Sequence, residues 1–338
     1  MRPPVRVCVV LLNYNGWADT LECLESVLRG DHRELTVVVC DNASHDGSLA
    51  HLRAWAEGRL DARVPPSNPL RGLSFPPLPK PIPFVEYGRE QAERGGEPGD
   101  DAPLVLVRTG GNLGFAGGNN VGLRYALARG FDAVWLLNND TVVRPDSLGA
   151  MVEEMRRDPR VGVVGSTLLY YHDPATVQAW GGARYNPWLA LPRHVGANQP
   201  AALAVDAARV ERRLSYVTGA SMLVSSAFLR EVGLMSEDYF LYFEEIDWAT
   251  RNAGRFRMAY APASVVFHRE GGSIGAHAGK KTALADYHFM RNRILYTRKY
   301  KPAALPTVYL ALAVAALRRA GRGEWDRVRM IARLCWGT

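Results

Sequence analysis

The sequence Val134-Trp135-Leu136-Leu137-Asn138-Asn139-Asp140-Thr141 has four apolar residues followed directly by a polar cluster that contains a carboxylate. An unbroken apolar run of this kind predicts a strand that is buried on both faces of a parallel sheet. In open α/β sheets, ligands bind beyond the carboxyl ends of the strands, where Asp140 would lie. A carboxylate there can hold a divalent metal against a phosphorylated substrate, or it can simply cap the following turn.

The same pattern recurs elsewhere in the chain. Apolar runs over 5–12, 36–40 and 104–107 alternate with segments of helical periodicity, an order that predicts an α/β fold with a parallel sheet and right-handed crossovers. Since parallel strands end at one edge of their sheet, the polar residues that follow them should meet there and form a ligand site. These residues are Asn13, Tyr14, Asp41, Asn42, Asn112, Asp140 and His268.

A glycine-rich segment occupies 110–120, with Gly117 within it and Asn119 and Asn120 at its end. Its glycines do not have the G-x-G-x-x-G spacing of a dinucleotide-binding loop. Glycine lets the backbone approach a phosphate or a sugar closely, and this is the interpretation that we favour. The two asparagines would begin a helix that runs from about Val121 to Arg129.

Five segments in this order resemble the motifs of inverting family-two glycosyltransferases, with most similarity to the bacterial rhamnosyltransferase and galactofuranosyltransferase branch. The segments are Asn13-Tyr14-Asn15, Asp41-Asn42-Ala43-Ser44, Asn112 to Asn120, Leu137 to Asp140 and Phe240 to Asp247. The resemblance implies a glycosyltransferase A-type fold with a mostly parallel, Rossmann-like nucleotide-binding sheet and a C-terminal helical tail. It also implies transfer of rhamnose or a related hexose from a UDP- or dTDP-sugar to a hydroxyl of a glycan or a lipid-linked acceptor.

The resemblance gives individual residues a role in donor binding. Asp41 would accept a hydrogen bond from the base of the nucleotide, and Asp140 and His268 would bind Mn²⁺ or Mg²⁺ on the donor diphosphate. An imidazole ligand shifts the preference toward Mn²⁺. Asn138 and Asn139 stand where many relatives carry aspartate, so the metal site has one carboxylate. The other residues expected at the donor nucleotide are Asn13, Tyr14, Asn42, Asn112, Gly117, Asn119 and Asn139.

Inverting transfer needs a base that takes the proton of the acceptor hydroxyl as the nucleotide leaves. Glu245 occupies the position of the family's catalytic carboxylate, which is commonly aspartate, and Glu244 is the neighbouring candidate. Gly219 matches a backbone position on the acceptor side. Trp248 is one of several aromatic residues around the acids that suit a sugar-binding wall. Asp247 and Arg251 are four residues apart and should form a structural pair on the same helix. The alternative for the whole cluster is that these acids form only a solvated helix face.

The residues from 65 to 103 interrupt the alternation of strands and helices with many prolines and glycines. We expect a mobile insertion without regular structure there, in preference to a small subdomain. Residues 1–275 would form the catalytic domain, and 276–338 a basic, amphipathic helical tail. From 291 to 333 there are eleven Lys or Arg residues against Glu324 and Asp326, which accounts for the net charge of +7.

A basic tail with apolar residues at helical spacing is typical of a helix that lies on a membrane surface, which would suit a lipid-linked acceptor. The alternative is a helix that packs on the catalytic domain or on a second copy of the chain, giving a homodimer. Nucleic-acid binding is disfavoured because no recognised module accompanies the charge. The apolar stretch 303–317 is short for a membrane span, and Met1–Pro4 leads into a strand without a signal peptide. We therefore expect a cytoplasmic protein that contacts the inner membrane face.

Two other classes of function remain open. A sugar nucleotidyltransferase would normally carry a glycine-rich loop with arginine and lysine after its first strand, in place of Asn13-Tyr14-Asn15-Gly16. A non-catalytic nucleotide- or glycan-binding protein would keep Asp41 and the aromatic residues but would have no use for Glu245.

Overall fold

The computed structural model of the protein describes residues 4–269 and 282–337. The strands in these residues are β1 (Val7–Asn13), β2 (Leu35–Asp41), β3 (Phe84–Gly88), β4 (Leu104–Arg108), β5 (Ala133–Asn138), β6 (Thr141–Val143), β7 (Val161–Tyr170), β8 (Val177–Trp180), β9 (Gly182–Asn186), β10 (Leu191–His194), β11 (Tyr216–Val217), β12 (Ser221–Ser225) and β13 (Arg257–His268). The α-helices are α1 (Trp17–Val27), α2 (Ser48–Ala56), α3 (Arg89–Glu93), α4 (Gly114–Ala128), α5 (Ser147–Arg157), α6 (Ala207–Glu211), α7 (Ser226–Val232), α8 (Glu244–Asn252), α9 (Ala283–Tyr300), α10 (Leu305–Ala320) and α11 (Trp325–Trp336).

One half of the main sheet is parallel, with the strand order β3-β4-β2-β1-β5. Asn13 pairs with Asp41 on the neighbouring strand, and Leu12 pairs with Asn138 on the other side. Because parallel strands share their direction, the polar strand ends lie at one edge. The predicted α/β class and the convergence of these strand ends are therefore confirmed.

The other half of the main sheet is mixed. β12 lies antiparallel between β5 and β7, and β13 runs parallel to β7. β13 also pairs with β6 and places His268 beside Thr141, the residue after Asp140. β8 pairs with β7, and a separate three-stranded sheet has the order β10-β9-β11.

Strand β5 is buried on both faces, as its apolar sequence predicts. Trp135 and Leu137 belong to the hydrophobic core on one side of the sheet, and Val134 and Leu136 to the core on the other side. Burial of these side chains fixes the register of the strand, because a shift by one residue would exchange the two sets. The rigid strand therefore holds the polar residues after it in defined positions.

Helix α4 begins at Gly114, so the predicted start near Val121 was wrong. The glycines are helical because they allow the helix to pack closely on β1. A Cβ on Gly118 would lie 2.3 Å from Cδ1 of Leu12, and one on Gly122 would lie 2.5 Å from Cγ1 of Val10. Tertiary packing thus overrides the low helix propensity of glycine here.

The segment 65–103 was expected to lack regular structure, and this expectation was wrong. It contains α3 and β3, and β3 is the parallel edge strand of the main sheet beside β4. The part before β3 is attached to the core through the buried carboxylate of Glu25. This carboxylate accepts hydrogen bonds from the Leu78 amide at 2.8 Å and from Nζ of Lys80 at 2.9 Å. The segment is ordered by contacts with residues that are distant in the sequence, and its local composition does not reveal these contacts.

Regular structure is interrupted at two places in this part of the chain. The apolar stretch 216–224 is divided into β11 and β12 by a turn around Gly219. Helix α8 begins only at Glu244, because Tyr242 and Phe243 have φ angles of 68° and 79°. Both interruptions lie at the candidate active site, where local backbone geometry departs from the regular pattern.

The C-terminal helices pack on the catalytic part of the chain. Buried residues of α9, α10 and α11 form one hydrophobic cluster with Tyr239, Phe243 and Ile246. Within the described residues one helical stretch of 19 residues, Pro302–Ala320, is long and apolar enough to cross a membrane, with a mean hydropathy of 1.3 in its most apolar window. Only 17% of its most apolar window is buried. The predicted domain boundary at 275 lies outside the described residues.

Candidate active site

A network of buried side chains joins the ends of β1 and β2. The Asn13 amide donates to Oδ1 of Asp41 at 2.8 Å and to the Ser44 hydroxyl at 3.1 Å. The backbone amide of Ser44 donates to Oδ2 of Asp41 at 3.2 Å. These bonds fix the Asp41 carboxylate, while each of its oxygens keeps a further lone pair for a ligand. Tyr14 lies half-buried nearby, with its ring edge-on to that of His45.

Asn42 connects β2 to the glycine-rich segment. Its Nδ2 donates to Oδ1 of Asn112 at 3.0 Å, and its Oδ1 accepts from the amide of Leu113 at 3.0 Å. Gly117 packs against the same turn, since a Cβ there would lie 2.8 Å from the Cβ of Leu113. The structure thus brings Asn42, Asn112 and Gly117 to the edge of the sheet that carries Asp41.

Two asparagines of the predicted donor site use their amides within the chain. Nδ2 of Asn139 donates to the Thr20 hydroxyl at 2.9 Å, and Nδ2 of Asn119 donates to the Phe115 carbonyl at 2.9 Å. Both asparagines are buried. They hold the loop after β5 and the first turns of α4 in place, and their amide groups bond to the protein itself.

Asp140 and His268 form the pair expected to bind metal. Oδ1 of Asp140 lies 3.3 Å from Nε2 of His268, and both residues are buried. Nδ1 of His268 lies 2.9 Å from Oε1 of Gln178, an atom that only accepts hydrogen bonds. In the neutral imidazole this contact places the proton on Nδ1 and the lone pair on Nε2, which faces the Asp140 carboxylate and Nδ2 of Asn138. Two electron-pair donors this close fit a shared cation, and Gln178 orients the imidazole as an outer partner of a metal ligand does.

Asn138 completes this arrangement, with its Nδ2 3.2 Å from Nε2 of His268. Across residues 4–269 and 282–337 there is no group of three or more His, Cys, Asp or Glu side chains that could hold a metal. Asp140 and His268 alone would leave most coordination positions to substrate oxygens and water. Mg²⁺ and ions of similar size commonly bind nucleotide phosphates in this way.

Glu245 is held by the turn between β11 and β12. Its Oε1 accepts a hydrogen bond from the Gly219 amide at 3.0 Å. The carbonyl of the next residue, Ala220, accepts from the amide of Asn138 at 3.0 Å. One short turn therefore connects the candidate base to the end of the strand that precedes Asp140.

Glu244 has a different environment, although it is the adjacent residue. It is 2% exposed, and within the described part of the chain its Oε2 has no hydrogen-bond partner. Burial, followed by the charge of Glu245, raises the pKa of Glu244 well above its usual value. Burial also raises the pKa of Glu245, while the Gly219 amide opposes this change. Glu245 has the donor contact and the partial exposure that a base needs, and Glu244 has neither.

The turn before α8 is strained and is held from the C-terminal part of the chain. Residues other than glycine rarely adopt a positive φ, so Tyr242 and Phe243 require support from their surroundings. Nδ2 of the buried Asn292 supplies it by donating to the carbonyls of Leu241 at 3.0 Å and Tyr242 at 2.9 Å. Helix α9 thus positions the start of the helix that carries Glu245.

The remaining predicted residues of α8 have structural contacts. Asp247 pairs with Arg251 as predicted, at 2.6 Å, and also accepts from Tyr300 at 2.7 Å. Trp248 does not face an open surface: it is 2% exposed, and its Nε1 donates to the carbonyl of Gly233 at 2.8 Å. The aromatic pattern that suggested a sugar-binding wall is, at this position, part of the core.

Sequence reasoning did not identify Gln178 or Asn292. Each acts on the site through a contact between residues far apart in the chain, His268 in one case and Tyr242 in the other. No motif or periodicity in the sequence marks such a pair.

The sheet and the helices that flank it define an α/β domain of the glycosyltransferase A type. The chain belongs to Glycosyl transferase family 2, which matches residues 8–69 and 89–195. The gap between these two ranges contains β3, the edge strand inside the proline-rich segment.

Curated relatives carry related names. The chain is 27% identical over 210 residues to the N-acetylglucosaminyl-diphospho-decaprenol L-rhamnosyltransferase of Mycobacterium tuberculosis, covering 56% of this chain and 67% of that protein. It is 23% identical over 149 residues to the low-salt glycan biosynthesis hexosyltransferase Agl10 of Haloferax volcanii, covering 44% of this chain and 46% of that protein. The chain thus spans less than half the length of the archaeal relative.

Solved structures share the fold. The mannosyltransferase PcManGT from Pyrobaculum calidifontis, in complex with GDP-Man and Mn²⁺, has a TM-score of 0.53 at 17% identity and covers 99% of this chain and 86% of its own. GalNAc-T7 with UDP, GalNAc and Mn²⁺ has a TM-score of 0.54 at 14% identity and covers 86% of this chain and 48% of its own. At these identities the similarity concerns the fold.

Proposed function

We propose that the protein is an inverting glycosyltransferase that moves rhamnose or a related hexose from a UDP- or dTDP-sugar to a hydroxyl of a glycan or a lipid-linked acceptor. The observation that carries this proposal is the turn at Gly219, which holds Glu245 at 3.0 Å and is bonded through its next residue to the end of β5. In a single displacement the base and the leaving diphosphate must be held in fixed positions relative to each other, and this turn would connect the two. The name of the mycobacterial relative supports rhamnose as the sugar.

In this proposal Glu245 takes the proton from the acceptor hydroxyl. Its raised pKa makes it a stronger base than an exposed glutamate. Asp41 accepts a hydrogen bond from the pyrimidine base, and Asp140 and His268 hold a divalent ion, Mn²⁺ or Mg²⁺. When bound, this ion supplies positive charge that offsets the charge developing on the departing diphosphate.

The acceptor would come from a membrane. Helix α10 leaves Leu310 and Leu317 66% and 71% exposed, with Val314 between them on the same side of the helix. Arg318 and Arg322 follow this apolar stripe and would meet anionic headgroups. We propose a peripheral contact with the inner face of the cytoplasmic membrane.

The first experiment measures binding of UDP, dTDP, GDP and NAD, each with and without Mn²⁺, to the wild-type protein and to Asp140→Ala. We expect metal-dependent binding of one pyrimidine nucleotide and its loss in the variant. Binding of NAD alone, or of none of the four, would refute the proposed donor site.

Turnover separates the proposal from a non-catalytic nucleotide- or glycan-binding protein. Glu245→Gln should lower kcat by about 10²–10⁴-fold, the usual contribution of a general base, and leave nucleotide binding unchanged. Glu237→Gln serves as a control because Glu237 is partly exposed and pairs with Arg124, away from Gly219. Equal turnover in Glu245→Gln and the wild type would exclude Glu245 as the base.

A further inference from the structure

A second cavity of about 670 Å³ lies outside the residues discussed so far, between the small sheet and α6. Its volume is in the range of small-molecule binding sites. Trp180 of β8 forms part of its wall. Four arginines also line it: Arg184, Arg193, Arg209 and Arg213.

The four arginines are exposed and place like charges close together. Arg184 and Arg193 are directly opposite each other in the antiparallel pair of β9 and β10, a position in which like charges repel. Arg209 lies on α6, and Arg213 follows the end of that helix. Throughout 4–269 and 282–337, no carboxylate lies within 4.0 Å of any of the four guanidinium groups. By contrast, the neighbouring Arg257 pairs with both Asp158 and Glu211.

Among the described residues Asp206 is the one acid that lines the cavity, and its single charge offsets only one of the four arginines. Asp206 also caps α6, where its Oδ1 accepts from the amide of Ala208 at 2.9 Å. The cavity therefore has an excess of cationic groups, and a multiply charged anion is the ligand that would relieve their repulsion.

The small sheet links this cavity to the candidate base. Ala183, next to Arg184 on β9, pairs with Tyr216 of β11, and Gly219 follows Tyr216 by three residues. Burial, followed by the charges of Glu245 and Glu244, raises the pKa of Tyr216 well above its usual value, as expected for neighbours. The same small sheet therefore contributes to the cavity and to the surroundings of Glu245.

The hairpin of β9 and β10, which carries Arg184 and Arg193, also carries exposed apolar side chains around its turn. Trp188, Leu189 and Leu191 are 49%, 40% and 37% exposed. Leu191 lies two residues before Arg193 and therefore on the same face of β10. An anion site on a hairpin with exposed apolar side chains fits a ligand with a charged head and a hydrocarbon chain.

We propose that this cavity binds the diphosphate of a lipid-linked acceptor. The guanidinium group binds phosphate oxygens in a bidentate manner, and two arginine pairs provide two such contacts. The inference rests on the proposed function, because it presumes a lipid-linked acceptor whose sugar reaches Glu245. The donor diphosphate is assigned to a different position, beside Asp140 and His268.

The test measures binding of decyl diphosphate by calorimetry, in EDTA and without nucleotide, so that the donor site makes no contribution. The double variant Arg184→Gln/Arg193→Gln should bind at least about tenfold more weakly than the wild type. The control is Arg212→Gln/Arg230→Gln, which removes two exposed arginines that do not line the cavity and should bind within about twofold of the wild type. Equal binding by the wild type and the first variant would overturn the proposal.

A second arm separates an acceptor diphosphate from a membrane headgroup. Sedimentation with phosphatidylcholine vesicles that contain phosphatidylglycerol should be similar for both variants. Loss of vesicle binding in Arg184→Gln/Arg193→Gln with unchanged binding of decyl diphosphate would also overturn the proposal. Failure of the proposed function would be recognised separately, as the absence of pyrimidine nucleotide binding in the wild type.

Discussion

The backbone amide of Gly219 donates a hydrogen bond of 3.0 Å to Oε1 of Glu245. This contact joins the turn between two strands to the first turn of α8. It also explains why glycine is present at this position. A Cβ there would lie 2.6 Å from the same Oε1 and 2.9 Å from Cζ of Phe115.

Gly219→Ala should therefore move Glu245 and reduce kcat by about 10²-fold, the effect of a displacement near 1 Å at a reacting group. Binding of the pyrimidine nucleotide should remain, because Asp41 and Asp140 are not in contact with the added methyl group. Steady-state kinetics and nucleotide titration measure the two effects. Gly88→Ala, at a glycine with a φ of −75° whose Cβ would meet nothing within 4 Å, controls for the loss of glycine itself. Unchanged kcat in Gly219→Ala would show that the turn does not position the base.

Glu244 makes the free energy of unfolding depend on pH. Its pKa is raised in the folded protein, so the stability associated with its protonated form is complete below the ordinary pKa near 4.5 and is lost as pH rises through the folded-state value. Glu244→Gln removes this loss and should stabilise the protein more at pH 8 than at pH 5. The stabilisation at pH 8 should exceed that at pH 5 by about 1.4 kcal/mol for each unit by which folding raises the pKa of Glu244.

Chemical denaturation at the two pH values measures this difference. Glu237→Gln is the control. A hydrogen bond from Asn120 lowers the pKa of Glu237 in spite of partial burial, so Glu237→Gln should lower the free energy of unfolding where Glu244→Gln raises it. A stabilisation by Glu244→Gln that is equal at both pH values would mean that Glu244 is ionised throughout this range.

Asn292 should affect catalysis although it lies on the C-terminal helix α9. Asn292→Ala leaves the carbonyls of Leu241 and Tyr242 without their donor and should reduce the free energy of unfolding by about 1–3 kcal/mol. Relaxation of the turn before Glu245 should lower kcat with little change in the KM for the donor.

Asn252→Ala provides the comparison for Asn292→Ala. Asn252 is also buried and exchanges two hydrogen bonds with the backbone of Phe256, but at the far end of α8. We expect Asn252→Ala to lose about as much stability as Asn292→Ala but to keep the wild-type kcat. If both variants lower kcat equally, the effect reflects general destabilisation.

The exposed stripe of α10 should govern membrane association. Leu310→Glu/Leu317→Glu should reduce co-sedimentation with vesicles at least about tenfold, because burying a leucine in an apolar phase contributes about 1.5–3 kcal/mol. The melting temperature should change little, since both side chains are exposed in the folded protein. Leu284→Glu, at a 55% exposed leucine of α9, should leave vesicle binding unchanged. Equal sedimentation of all three proteins would refute the membrane contact.

The sequence by itself determined the α/β class and the polar edge of the sheet. Strand β5 is an example: four consecutive apolar residues require burial on both faces, and Asp140 must then follow at the strand's end. Such features depend on residues that are close together in the chain, where periodicity and turn chemistry act. For the same reason the ion pair between Asp247 and Arg251 was predicted from their spacing alone.

Only the tertiary structure decided the rest. The order of 65–103 depends on Glu25, the orientation of His268 depends on Gln178, and the turn before Glu245 depends on Asn292. Burial similarly converted Trp248 from a candidate wall residue into a core residue. These contacts join residues that are far apart in the chain, and their energies come from burial and hydrogen-bond geometry that exist only after the chain has folded.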